Sequence, residues 1–72
     1  MHNINLKNVV WKEGKYYVAW NLNTAVSSFG ETREDALRSL KEALELHFEG
    51  ISEKEIGVVE RPGLVPFDLE YA

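Results

Sequence analysis

Apolar and polar positions alternate through the first thirty residues and then change period. Two β-rich runs, Leu6 to Trp11 and Tyr16 to Asn21, flank the polar stretch Lys12-Glu13-Gly14-Lys15. That pattern predicts a hairpin, and Glu13-Gly14 suits a two-residue loop. With that loop Trp11 faces Tyr16, Val9 faces Val18 and Lys7 faces Trp20, while Leu6, Val10, Tyr17 and Ala19 fill the other face. A turn over Leu22 to Ala25 leads to a third short strand ending at Gly30.

From Thr32 the period becomes 3.6 residues. Ala36, Leu37, Leu40, Ala43, Leu44, His47 and Phe48 fall on one stripe of a helix, and Leu46 lies off it. Thr32 is a suitable N-cap with Asp35 at the capping-box position. Glu34 and Arg38 are spaced as an i,i+4 pair, and Gly50 is placed as the C′ residue with Ile51 after it. Ser52 and Glu55 repeat a capping-box spacing that allows one more helical turn. Beyond the Arg61-Pro62-Gly63 turn, Val65, Phe67, Leu69 and Tyr71 alternate with Asp68 and Glu70, which predicts a half-buried strand. Pro66 suits a sheet edge or a strand start. The expected fold is α+β: an antiparallel β-β-β meander, one long helix on one face, and a returning strand, all in a single domain over residues 1–72.

Both faces of the hairpin are apolar, whereas a sheet covered on one side alone shows clean alternation. One helix cannot shield both. A chain of 72 residues buries only about 60% of its unfolded surface, and folds of this size commonly draw on a disulfide, a metal or a partner. Cysteine is absent, so disulfides and thiolate metal sites are excluded and a reducing cytoplasm fits. His2 and His47 are too few for a structural zinc site, and no cofactor is expected. Self-association into a dimer or tetramer, or a protein partner, is the expected support. No run approaches the ~20 apolar residues of a membrane span, and the N-terminal residues lack a secretory core.

Charge is unevenly spread. Residues 1–30 carry Lys7, Lys12 and Lys15 against Glu13, and residues 31–72 carry eleven acids against five bases. The acidic half disfavours contact with nucleic-acid phosphates and favours a basic partner, although a solvated helix surface explains the same charges. A two-metal nuclease needs converging carboxylates, and the run from Ile4 to Trp11 contains none. Ser27 or Ser28 with His47 has no strained nucleophile turn and no orienting acid, so His47 is read as a packing residue near the negative helix end. No enzymatic activity is expected. Trp11, Tyr16 and Trp20 share one hairpin face that Phe29 can join. Such aromatics can stack bases, fill a core, or anchor a protein interface, and the interface is the favoured reading.

The residues from Trp11 to Trp20 and from Ser27 to Glu49 carry a resemblance to the HicB-like antitoxin family. Gly14, Tyr17, Val18 and Ala19 match that family's hairpin. Ser28, Gly30, Thr32, Ala36, Leu37, Leu40 and the run Lys41 to Leu46 match the segment that follows it. The resemblance implies a truncated RNase H-like fold without nuclease activity. It also implies a partner, a small basic RNA-cleaving toxin of the HicA kind. On this reading the interface comprises Trp11, Tyr16, Val18, Trp20, Phe29, Glu42, Glu45, Leu46 and Glu49. The loop before the third strand lacks the family's proline-glycine pair, Phe29 replaces a polar residue, and no separate DNA-binding domain is expected after Tyr71. The alternative is an orphan module that only homo-oligomerises.

Overall fold

The computed structural model describes residues 5–50 and 56–70. β1 (Asn8–Glu13), β2 (Tyr16–Asn21) and β3 (Ser27–Gly30) form an antiparallel sheet in the order β1-β2-β3. α1 (Arg33–Phe48) packs across one face of it. The α+β meander with one covering helix is therefore the fold of this chain.

The hairpin register differs from the expected one by two positions. Glu13 pairs with Tyr16, Trp11 with Val18 and Val9 with Trp20, so the loop is Gly14-Lys15. Gly14 has φ +62° while Lys15 stays at negative φ, the backbone pattern of a II′ turn with glycine at its first central position. The turn's need for positive φ at that position fixes the register. A slip of two preserves side-chain parity, so each residue keeps its expected face.

The core lies between sheet and helix. Ala19, Ala36, Leu40 and Leu44 are buried, with Leu6, Val10, Tyr17, Val26, Leu37 and Phe48 packed around them. The helix is held at its start by Thr32, whose hydroxyl accepts from the Asp35 amide at 3.0 Å. Arg38 pairs with Asp35 at 3.1 Å rather than with Glu34, because the i,i+3 carboxylate lies within its reach. The helix ends differently from the expected C′ glycine. Gly50 does not adopt positive φ, and the last turn closes through i→i+3 bonds, Glu49 N–H to Leu46 O and Gly50 N–H to His47 O. The second capping-box pair, Ser52 and Glu55, and the Ile51 contact lie outside the described residues.

The returning strand is not formed. Residues 61–70 carry no strand and are exposed throughout, with Val65, Phe67 and Leu69 each at least 70% exposed. Alternation alone specifies a strand-competent segment; a strand also needs a free edge within reach, and here the edges of β1 and β3 are left unpaired by this segment.

A five-residue loop, Leu22 to Val26, joins β2 to β3. Asn21 N–H donates to Val26 O at 2.8 Å, and Ala25 N–H to Asn21 O at 2.9 Å. Ala25 closes the loop at φ +65°, a left-handed conformation that costs a residue with a Cβ roughly 1–2 kcal/mol. Ala25→Gly is accordingly expected to raise stability by about 0.5–1 kcal/mol, the steric relief exceeding glycine's greater unfolded-state entropy. A urea midpoint that fell on this substitution would contradict the loop assignment.

Candidate protein-binding face

Alternation along the hairpin sends the odd-numbered side chains of β1 and the even-numbered ones of β2 away from the helix. Val9 lies beside Trp20 and Trp11 beside Val18, and Phe29 of β3 joins them opposite Val18. Trp11 is 40% exposed, Tyr16 51%, Trp20 37% and Phe29 68%. Tyr16 meets Phe29 edge to face, with centroids 6.1 Å apart and planes at 79°, an arrangement favoured by the ring quadrupoles. The Trp11 indole donates to a Glu13 carboxylate oxygen at 3.3 Å. Between them Glu13, Tyr16, Val18, Ser27, Ser28 and Phe29 line an open depression.

The structure thus brings together Trp11, Tyr16, Val18, Trp20 and Phe29 as one face and leaves that face uncovered by the helix. The remaining expected interface residues belong elsewhere. Glu42, Glu45, Leu46 and Glu49 are exposed on α1, away from the buried stripe of Ala36, Leu40 and Leu44. The sheet lies against that stripe, so the acids and the aromatics occupy opposite sides of a two-layer domain. The acidic and the aromatic residues therefore form two separate surfaces.

Lys12 is paired with Tyr17 and so emerges on the helix side of the sheet, not among the aromatics. His47 is half-buried in the last helical turn and lies edge to face against Phe48 at 5.5 Å. Among the described residues no hydrogen bond joins Ser27 or Ser28 to His47, and no three His, Asp or Glu side chains gather as a metal site.

The most densely bonded residue is one that sequence reading passed over. Asn21 is fully buried. Its amide donates to Lys7 O at 3.3 Å and to Asn8 Oδ1 at 2.8 Å, and its Oδ1 accepts from Thr24 N–H at 2.9 Å and Thr24 Oγ1 at 2.7 Å. Asn23 extends the network: its Oδ1 accepts from Lys7 N–H at 2.9 Å and its Nδ2 donates to Gly57 O at 2.7 Å. The signal was the Asn-Leu-Asn-Thr run, since such side chains bond the backbone a few residues on. This network anchors the start of β1, the β2–β3 loop and the chain leaving the helix at one end of the sheet.

Among the described residues no helix is long and apolar enough to cross a membrane. A family model described as a family of unknown function (DUF7387) matches residues 3–67. No curated protein and no solved structure matches the chain.

Proposed function

The chain belongs to the DUF7387 family, and from its open sheet face we propose that it is a protein-binding module of the HicB-like antitoxin kind, without catalytic activity. Its partner on this reading is a small basic RNA-cleaving protein. The observation that carries the reading is the uncovered face of Trp11, Tyr16, Trp20 and Phe29. Large apolar patches mark interaction sites, and Trp and Tyr are the usual anchors of protein interfaces. A base-stacking role is less well supported, because such platforms sit in a basic groove. Here Glu13 is hydrogen-bonded to Trp11 on the same face and Lys12 points to the other.

The acidic outer surface of α1 has a separate part in this reading. Glu42, Glu45 and Glu49 would speed encounter with a basic partner while the aromatics hold it. The cysteine-free sequence supports a cytoplasmic setting.

The test is calorimetric titration against a small basic protein encoded beside this one, with RNA cleavage assayed in parallel. Binding at micromolar concentration or tighter, with loss of cleavage, is the expected result; absence of a complex overturns the reading. Phe29→Ala combined with Trp11→Ala is expected to weaken the complex at least tenfold by loss of anchor residues. It should leave the far-ultraviolet spectrum unchanged while lowering the unfolding midpoint modestly, because neither ring belongs to the core but Trp11, at 40% exposure, is partly packed on the sheet.

A further inference from the structure

Residues 64–70 form an apolar arm that the domain does not use. Leu64, Val65, Phe67 and Leu69 are 70–94% exposed. The chain's radius of gyration is 14.3 Å, against about 11 Å for a compact chain of this length. The arm's root is fixed, since Gly57 O accepts from Asn23 Nδ2 at 2.7 Å. Its departure is set at Arg61, which has φ +51° immediately before Pro62, a position where the left-handed conformation is costly.

We propose that this arm pairs with the free edge of β1 in a second copy of the chain, and that the second copy returns its own arm in the same way. Four features of the molecule fit that occupant. The arm's seven residues are enough to cover the six of β1, and among the described residues the outer edge of β1 is unpaired. The arm and its root carry Glu60, Asp68 and Glu70 against Arg61, whereas the hairpin carries Lys7, Lys12 and Lys15 against Glu13. The alternation also agrees. With Val65, Phe67 and Leu69 continuing the open face beside Val9 and Trp11, Asp68 and Glu70 fall on the side where Lys12 emerges. In a parallel pairing the even-numbered arm residues turn their N–H side away from β1, so Pro66 then points its missing donor outward, as an edge strand tolerates.

Exchange of one element between identical chains closes a two-fold dimer and removes an exposed sheet edge. It widens the aromatic face from three strands to four in each copy. The inference does not rest on the antitoxin reading, and its test uses this chain alone.

Light scattering at about 100 µM is expected to give twice the 8.3 kDa chain mass, with amides of Val65, Phe67 and Leu69 protected from hydrogen exchange. Phe67→Asp combined with Leu69→Asp should raise the self-association Kd at least tenfold while preserving the far-ultraviolet spectrum, because both side chains are more than 80% exposed and lie outside the core. Lys12→Glu should weaken the dimer, and Asp68→Lys with Glu70→Lys in the same chain should restore it. A monomer at 100 µM overturns the proposal, whether its arm is unprotected or is protected by docking on its own sheet. So does a dimer that survives the arm substitutions.

Discussion

Gly30→Ala is expected to lower stability by about 3 kcal/mol, the upper end of the usual range for overpacking. A Cβ at Gly30 would lie 2.6 Å from the Ala36 nitrogen, 2.7 Å from Asp35 Cβ and 2.8 Å from the Asp35 carbonyl carbon. Two of these three neighbours are backbone atoms in the first turns of α1, so no rotamer change relieves the contact. The helix itself must move off the sheet, and with it Ala36 and Leu40, whose burial makes much of the core. A chain of 72 residues has a total stability of only about 4–11 kcal/mol at the usual value per residue, so the loss is a large fraction of the whole. Urea unfolding followed by tryptophan fluorescence measures it. A change below about 1 kcal/mol would mean that the helix does not approach β3 this closely.

Asn21→Ala is expected to cost about 2–3 kcal/mol. Both amide hydrogens and the carbonyl oxygen of Asn21 are engaged in a fully buried site. Truncation leaves the Thr24 N–H without its acceptor, and an unsatisfied buried polar group costs roughly 1–3 kcal/mol. The Lys7 carbonyl retains its bond from Leu22 N–H, and Asn8 is exposed and can turn to water, which limits the loss. Asn21→Asp is not a rescue: it keeps an acceptor for Thr24 but sets an oxygen against Lys7 O and Asn8 Oδ1. A denaturation series in which Asp restored wild-type stability would show that the donor side of this hub contributes nothing.

The contrast between these two sites explains what could be read in advance. The two faces of the hairpin and the helical stripe followed from periodicity, and a register error of two left both faces correct. Leu46 was expected to lie off the stripe and is 70% exposed. Gly30 and Ala36 were visible as matched positions in a family pattern, but their role as the point of closest helix–sheet approach is a distance, and distances are not written in spacing. The Asn21 hub depends on three segments meeting: the chain before β1, the β2–β3 loop and the residues around Gly57. No local pattern encodes such a meeting.

The arm failed for a related reason. Val65, Phe67 and Leu69 alternate as a strand should, yet alternation states only what a segment can do once an edge is offered. Likewise nothing in a linear reading places the acids of α1 and the aromatics of the sheet on opposite sides of the domain.

Since the polar knot around Asn21 ties one end of the sheet to everything near it, the two ends of the platform differ in mechanical character. At the far lip the Gly14-Lys15 turn carries Tyr16 alongside Phe29; the strand end at Phe29 is backed by the close approach of α1 to Gly30, whereas the turn itself is secured by little beyond its own ladder bonds. A partner settling on the rings would therefore meet a surface clamped along most of its length and compliant at the turn, so that accommodation to an imperfect fit would be concentrated at Tyr16 while Val9, Trp20 and Phe29 hold their positions.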